Sequence, residues 1–357
     1  MNEGMSSSTT PPSVAMSTTL TPHDKLAANA LKIHTKPLWT QMARMNPREP
    51  NPKCVPTVWR YEEVRPLLVE AGMLVTDKQA ERRALMFVNP ARGILEHGNH
   101  CHRTWTDERS RCPVYHGHHS LRAPTCLPNE TAPAHRHVAF AMRFVIEGQG
   151  GFTAIQGKGV WMQRGDVILN PPWNWHDQGK DGSGPMIWLD GLDIPNFIHF
   201  PVHFVEHYKE PRYPAEDVDS SSSPLVFPWR AIQQKLDGMP GEWVSQDYLR
   251  SDGTPVSKSL GGCAERLDPG ASSPAVRETA SSIYHVISGA GHSDIAGQRF
   301  AWKQGDSFCI PAWNKYQHTN TGSETLYLYR LHDKPMLTNL GYYRLDGCDV
   351  ESLVTVY

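Results

Sequence analysis

The feature of this sequence that most constrains its fold is an internal repeat. Residues 143–176 read RFVIEGQGGFTAIQGKGVWMQRGDVILNPPWNWH, and residues 284–318 read YHVISGAGHSDIAGQRFAWKQGDSFCIPAWNKYQH. Both copies carry two close glycines, then a Gly-Asp step (Gly165-Asp166 and Gly305-Asp306), then a Pro-x-Trp step. Because the copies lie about 140 residues apart, which is the size of a whole domain, the chain is predicted to contain one domain twice.

The residue pattern of each copy indicates β-structure. From Arg83 onward, short runs such as MRFVIEG and GDVILNP are rich in β-branched and aromatic residues and are bounded by Gly, Pro or Asn. Strands with this spacing are typical of β-sandwiches and barrels. Before Arg83, the segments LAANALKIH and RYEEVRPLLVEAG predict short helices in a stretch interrupted by prolines. The sequence therefore predicts a mainly β protein of two similar barrels behind short N-terminal helices.

Composition excludes several classes of function. The net charge is −2 and like charges are not clustered, so neither a nucleic acid nor an anionic membrane surface is expected as a partner. No apolar run is long enough for a membrane span. The first 22 residues are rich in Ser, Thr and Pro, which predicts a disordered tail and not a secretory signal. The 7 cysteines are scattered, which favours reduced thiols in a cytoplasmic protein.

A three-histidine motif is the strongest indication of chemistry. His135 and His137 are two residues apart, so on a strand both side chains point to the same face. His176 follows on a later strand and can bring a third neutral imidazole to the same point. Such a set suits Fe, Zn, Cu or Ni, and three ligands leave coordination positions open for catalysis. An H-x-H pair alone is more often a surface pair or a buried core histidine than a metal site, but both motifs together predict a metal site.

The second copy of the repeat lacks these histidines. Alignment on its glycines places Val276 opposite His135, Glu278 opposite His137 and Tyr316 opposite His176. His318 falls opposite Gln178, which is not a ligand position. The second barrel is therefore predicted to hold no metal and to serve packing or assembly.

The longer string ETAPAHRHVAFAMRFVIEGQG … RGDVILNPPWNWHDQG … WLDGLDIP resembles the gentisate 1,2-dioxygenases and their relatives that cleave salicylate or 1-hydroxy-2-naphthoate. The resemblance covers residues 35–335 and is strongest over 128–196. It implies a bicupin of two double-stranded β-helix (jelly-roll) barrels, with ferrous iron in the first, often assembled as a homotetramer. The expected organisation is a tail (1–22), a helical and extended segment (23–92), a metal-binding cupin domain (93–215), a second cupin domain (216–335) and a C-terminal tail (336–357).

The resemblance also implies a reaction. The expected function is Fe(II)-dependent ring cleavage of gentisate to maleylpyruvate, with both atoms of O2 incorporated, so the partners are a small aromatic hydroxy-acid and O2. A salicylate or 1-hydroxy-2-naphthoate 1,2-dioxygenase would use the same site. The sequence is also compatible with a cupin isomerase or hydrolase that uses another metal, and with a non-catalytic binding bicupin.

Further site residues follow from spacing and from the resemblance. Arg143 lies six residues after His137, so a continuous strand would aim both side chains inward, towards either a substrate carboxylate or a structural salt bridge. By resemblance, Arg143 and Arg82 match substrate-binding arginines. Asp190 resembles an acid that accepts the N–H of a metal-bound histidine, although an aspartate before glycine is also common in turns. Asp177 is a second candidate for that catalytic support.

Two departures from the family pattern and one from the general cupin pattern bear on the substrate. Gln178, a candidate catalytic residue, stands where many gentisate dioxygenases have histidine, and it can hydrogen-bond but not titrate. Many cupins add a glutamate ligand shortly after H-x-H, but here Ala141 and Met142 occupy those positions. This vacancy suits a substrate with adjacent carboxylate and hydroxyl groups. Residues 93–122 form a histidine-rich insertion that is compatible with an accessory metal site, a surface insertion or a gene-model artefact.

Overall fold

The computed structural model describes residues 21–40, 42–75, 83–91, 120–126 and 128–348. The chain divides into two compact units, Met1–Glu49 and Pro50–Tyr357. The first unit contains helix α1 (Pro22–Lys32), a 3-10 turn (Leu38–Thr40) and helix α2 (Met42–Met45). A capping box between Thr21 and Asp24 starts α1, which satisfies backbone N–H groups of the first turn. In the described part of the chain, no helix is long and apolar enough to cross a membrane.

Among its described residues, the second unit contains three α-helices, a 3-10 helix (Ile194–Ile198) and the strands. The helices are α3 (Tyr61–Leu74), α4 (Trp229–Gly238) and α5 (Lys334–Asn339). Up to the middle of the unit, the strands are β1 (Thr57–Trp59), β2 (Arg83–Met86), β3 (Ser120–Cys126), β4 (Glu130–His137), β5 (Ala141–Glu147), β6 (Gly151–Ile155), β7 (Lys158–Met162), β8 (Val167–Asn170), β9 (His176–Lys180), β10 (Met186–Leu192), β11 (Val205–His207), β12 (Glu216–Asp217) and β13 (Val226–Phe227). The remaining strands are β14 (Trp243–Asp247), β15 (Gly261–Leu267), β16 (Ser282–Ser288), β17 (Ala290–Ile295), β18 (Gln298–Lys303), β19 (Ser307–Ile310), β20 (Tyr316–Asn320) and β21 (Leu326–His332). Helices α1 and α3 confirm the two helical segments predicted from sequence.

The strands form two barrels, each made of two sheets. The sheets of the first barrel run β13-β8-β5-β10-β3-β2 and β11-β4-β9-β6-β7-β12. Those of the second run β1-β19-β16-β21-β15-β14 and β18-β17-β20. In each barrel, apolar side chains from both sheets share one core. The predicted pair of jelly-roll barrels is confirmed.

Strand β5 shows how alternation places the site. Val145 belongs to the core of the first barrel, so Arg143, two residues earlier, lies on the same inward face. Phe144 lies on the opposite face and stacks on Tyr329 of the second barrel, with ring centroids 4.8 Å apart. The sheet is therefore covered on both sides, by its own barrel and by its neighbour.

The two barrels exchange the segments that precede them. Strand β1 and helix α3 come before the first barrel, but β1 pairs with β19 and the Tyr61 N–H donates to Asp306, both in the second barrel. Strand β13 and helix α4 come before the second barrel, but β13 pairs with β8 and the Trp229 N–H donates to Asp166 in the first. Each helix therefore begins on a buried aspartate of the other barrel, which accepts an N–H of its first turn.

The pKa of Asp166 predicts that the stability contributed by this exchanged arrangement depends on pH. Burial raises the pKa of its carboxyl to about 6, and the residue is only 5% exposed. Because this pKa lies above that of the unfolded chain, the stability it contributes is present below about pH 4 and is lost as the pH rises to about 6. We expect the free energy of unfolding of the wild type, relative to Asp166→Asn, to fall by about 3 kcal/mol across that window. Urea unfolding at a series of pH values measures this difference. Asp306→Asn is the control, because Asp306 accepts a backbone N–H at the start of α3 as Asp166 does at the start of α4. A difference that stays flat from pH 4 to 7 would contradict the assignment.

Candidate metal centre

Three histidines of the first barrel converge. Strand β4 carries His135 and His137, and β9 carries His176 directly opposite His135 in the sheet. The ring centroids of His176 lie 4.4 Å from His135 and 4.8 Å from His137. One nitrogen of each ring lies within 4.8 Å of those of the other two. All three side chains are buried. The structure thus brings together the three residues selected from sequence spacing.

Hydrogen bonds fix which nitrogen of each ring faces that point. The Nδ1 atom of every ring lies against a backbone carbonyl oxygen: Pro133 for His135 (2.8 Å), Ala139 for His137 (2.8 Å) and Asn174 for His176 (2.9 Å). A carbonyl only accepts, so each Nδ1 carries the proton and each Nε2 keeps its lone pair. Three neutral imidazoles held in this tautomer fit a divalent transition metal and leave it with open positions and its full charge.

A buried arginine lies on the same inward face. The Arg143 Nε donates to Asp190 Oδ1 at 2.9 Å and its Nη2 donates to Gln178 Oε1 at 2.5 Å. Its guanidinium carbon lies 4.8 Å from the ring centroid of Trp188. The structural salt bridge that the sequence left open is therefore present. In addition, the buried Nη1 has no hydrogen-bond partner among the described residues, so one cationic donor remains for a ligand.

The structure corrects the partner expected for Asp190. The sequence suggested that this carboxylate accepts the N–H of a metal-binding histidine. Backbone carbonyls occupy all three of those N–H groups, and the carboxylate accepts from Arg143 through both oxygens, at 2.9 and 3.4 Å. Its position therefore suits holding the guanidinium and not an imidazole.

Gln178 and Asp177 face opposite ways along β9. Gln178 shares the inward face with His176, and because a guanidinium only donates, its carboxamide oxygen must point to Arg143. Its NH2 group is consequently directed away from the guanidinium. Asp177 lies on the other face and pairs with Arg212 at 3.2 Å. Burial raises the pKa of Asp177, and the Arg212 partner offsets part of that rise. The structure thus does not bring Asp177 to the histidines.

Two predictions about the site fall outside the described residues, as do residues 1–20 of the predicted N-terminal tail. Arg82, the second candidate for substrate binding, is one of them. The other is the histidine-rich insertion, of which the structure describes only residues 120–122, at the start of β3.

The second barrel confirms the sequence alignment of the ligand positions. Val276 bridges to Tyr316 as His135 pairs with His176. The Glu278 carbonyl accepts from Trp313 as the His137 carbonyl accepts from Trp173. The Glu278 carboxylate bonds Arg330 and the hydroxyls of Tyr316 and Tyr343. Burial lowers the pKa of His318 to about 3, so this ring is neutral. An ion pair and hydroxyl groups therefore stand where the first barrel has its histidines.

The sequence analysis did not identify the residues on β11, and just before it, that lie beside the histidines. The ring of His207 lies 6.3 Å from that of His135, and the ring of His203, just before the strand, lies 6.1 Å from that of His137. Glu206 pairs with Arg136, which lies between the two histidines of β4. Alternation alone predicts that Arg136 points outward. The pairing of β4 with a strand so far along the chain had no local sequence signal.

Comparison with known proteins gives a consistent picture. A cupin-domain family model matches residues 125–192 and 264–331, once in each barrel. The chain is 31% identical over 336 residues to gentisate 1,2 dioxygenase 1 of Aquipseudomonas alcaligenes, covering 86% of this chain and 91% of that one. It is 30% identical to 5-aminosalicylate 1,2-dioxygenase of Comamonas sp, covering 90% and 89%. The crystal structure of salicylate 1,2-dioxygenase from Pseudoaminobacter salicylatoxidans as an adduct with gentisate superposes with a TM-score of 0.79 at 27% identity, covering 94% and 97%.

Proposed function

This chain belongs to the gentisate 1,2-dioxygenase family of ring-cleaving dioxygenases, and we propose that it cleaves gentisate to maleylpyruvate at an Fe(II) ion held by His135, His137 and His176. As a member of the family it is an oxidoreductase that incorporates both atoms of O2. The observation that carries the proposal is the convergence of three neutral imidazoles on one face with Arg143, whose Nη1 is buried without a partner among the described residues.

The protein groups recognise an anionic aromatic acid. The Arg143 Nη1 is a cationic donor and suits a substrate carboxylate, since charge-assisted hydrogen bonds are the strong ones. Asp190 and Trp188 fix the guanidinium on its other sides. The Gln178 NH2 group, turned away from Arg143, adds a neutral donor for a substrate oxygen. Arg82 is proposed as a second contact of the carboxylate.

The chain's own residues supply orientation and charge. Fe(II), when bound, supplies a site where a hydroxy-acid and dioxygen meet and exchange electrons. The three Nδ1–H···O=C hydrogen bonds hold the imidazoles so that their lone pairs point to one place. Arg143 then orients the substrate carboxylate, and through it the adjacent hydroxyl. Beyond Arg143, the barrel is filled by the apolar core, which excludes water from this side of the site.

Gln178 bears on the choice of substrate. Salicylate and 1-hydroxy-2-naphthoate share with gentisate the adjacent carboxylate and hydroxyl but lack its para-hydroxyl group. Because a glutamine replaces the histidine seen in many gentisate dioxygenases, these two acids are the second candidate substrates of the same site.

Oxygen uptake by anaerobically Fe(II)-reconstituted protein tests the proposal, with gentisate, salicylate and 1-hydroxy-2-naphthoate offered separately. We expect uptake with gentisate, one O2 for each molecule consumed, and a ring-opened product that absorbs in the near ultraviolet. Protein reconstituted with Zn(II) is the control and should consume no oxygen, since zinc has no redox chemistry. Uptake only with salicylate or 1-hydroxy-2-naphthoate would mean that the reaction is ring cleavage as proposed but that the substrate is not gentisate. Iron-loaded protein that consumes no oxygen with any of the three would overturn the assignment.

We also propose that the protein works in the cytoplasm as a homotetramer. Cys263 and Cys309 are buried and form no disulfide, which fits a reducing compartment. Light scattering of the full chain measures the assembly.

A further inference from the structure

Arg136 occupies an unusual place between two of the metal-site histidines. It lies on β4 between His135 and His137 and points to the outer face of the barrel. Its guanidinium carbon lies 4.5 Å from the ring centroid of Trp173 and 4.5 Å from that of Trp175. Its Nε and Nη2 donate to Glu206 Oε2 at 2.9 and 2.6 Å. One guanidinium is thus held between two indoles and a carboxylate.

Every member of this cluster is attached to a metal-site histidine or to the strand beside it. Trp175 directly precedes His176. The Trp173 N–H donates to the His137 carbonyl at 2.8 Å. Glu206 lies opposite Arg136 in the pairing of β11 with β4, between the residues opposite His137 and His135. A displacement of the cluster would therefore move all three imidazoles.

The backbone at Trp173 adds a requirement for such support. Trp173 has a φ of +62°, in the left-handed region that bulky residues rarely adopt. Its ring packs on Phe204, with centroids 4.5 Å apart, and on Arg136 from another side. Residues in this conformation persist where the surroundings over-determine them. Arg136 is one of the groups that do so here.

The hydrogen-bonded pairing between β4 and β9, the two strands that carry the histidines, is irregular. Its register shifts between Ala132 and His135, immediately before the first histidine. We propose that Arg136, Trp173, Trp175 and Glu206 form an outer clamp that replaces the missing ladder contacts and sets the metal affinity of the site. Arg136 is its positioning residue: it touches neither metal nor substrate and acts through the strands that present the imidazoles. This inference rests on the proposed metal site.

The second barrel contains a reduced version of the clamp. Arg277 lies 5.3 Å from the ring centroid of Trp313 and pairs with Asp346 at 2.8 Å. Trp313 also has a φ of +62° and donates its N–H to the Glu278 carbonyl at 2.7 Å. Lys315 stands where Trp175 does. Arg277 is therefore a control that keeps one indole and the carboxylate of this setting without the second indole and without the histidines.

The test compares Arg136→Met, Arg136→Lys and Arg277→Met in the full chain. Co(II) binding is measured anaerobically by competition with a chromophoric chelator, with the ligand-field spectrum of the bound Co(II) as a second readout. We expect Arg136→Met to weaken Co(II) binding about 10- to 100-fold, the usual effect of losing support groups around a metal site, and to alter the spectrum. Arg136→Lys should fall between Arg136→Met and the wild type, because an ammonium keeps the charge but not the planar fork.

Arg277→Met should lower the thermal midpoint, as Arg136→Met does, and leave Co(II) affinity and spectrum as in the wild type. Wild-type affinity and spectrum in Arg136→Met would overturn the clamp and leave the metal site intact. Equal weakening by Arg277→Met would also overturn it, since general loss of stability would then be the cause. Wild-type protein that binds no Co(II) would overturn the metal site and the clamp together.

Discussion

Replacement of His137 by alanine is expected to abolish both stoichiometric metal binding and oxygen uptake. The substitution leaves two imidazoles, since no other described His, Cys, Asp or Glu completes the set formed by His135, His137 and His176. Removing one of three ligands should reduce retained iron from about one per chain to below about one tenth, and oxygen uptake at least as strongly. Iron is measured by elemental analysis after anaerobic reconstitution and gel filtration, and uptake with an oxygen electrode.

His318→Gln is the control for His137→Ala. His318 is fully buried in the second barrel and its Nδ1 lies 2.8 Å from Ser293 Oγ. Its counterpart in the first barrel is already a glutamine, so the substitution tests loss of a buried histidine without loss of a proposed ligand. We expect wild-type iron content for this variant. Undiminished iron in a folded His137→Ala protein would show that the three histidines are not the metal site.

Replacement of Arg143 by methionine is expected to destabilise the fold and to abolish substrate binding. Asp190 and Arg143 are each about 2% exposed at the side chain, and removal of one partner from a buried ion pair leaves the other charge in a medium of low polarity. Such losses amount to about 3–5 kcal/mol. Urea unfolding measures the change. Binding of the hydroxy-acid to the iron-loaded, anaerobic protein is measured by calorimetry, and its affinity should fall by at least about 100-fold, as loss of a charge-assisted contact implies.

A second substitution separates the two roles of Arg143. The variant Arg143→Met/Asp190→Leu removes both charges, so we expect it to regain most of the lost stability, because an apolar pair often replaces a buried ion pair at little cost. Substrate affinity should remain lost, since neither of the two apolar side chains introduced offers a donor for a carboxylate. A double variant that recovers both stability and substrate affinity would assign Arg143 a structural role alone.

The sequence predicts a large part of the fold because the repeat and the strand spacing are local signals. It also predicts the three histidines, since the alternation of a strand fixes the common face of His135 and His137. The same alternation, extended to β9, excludes Asp177 as a support for His176, because adjacent strand residues face opposite ways. The pairing of Asp177 with Arg212 on the outer face corrects that prediction.

Other parts of the site depend on contacts that no local pattern contains. The role suggested for Asp190 fails because backbone carbonyls bind the histidine N–H groups, and any residue type can supply such a carbonyl. The clamp on Arg136 needs Glu206, 70 residues further along the chain. Such a pairing follows only from the register of β4 with β11. The sequence therefore predicts which side chains carry the chemistry better than it predicts which groups hold them.

The exchange of segments between the barrels has a consequence for synthesis. Arg60 and Asp306 pair across 246 residues, so the strand and helix that complete the second barrel are made first and lack their partner while the ribosome extends the chain. At ordinary translation rates this interval lasts about 10–50 s. During it, β1 has no sheet to pair with and Asp306 is not yet present to accept from the start of α3, although α3 itself packs on β2 and β3 of the first barrel. The first barrel, by contrast, needs only β13 and α4, which follow it immediately. The second half of the chain does not by itself complete the larger sheet of the second barrel, because that sheet includes β1. Two fragments divided within residues 218–223 should accordingly be incomplete apart and restore one another when mixed.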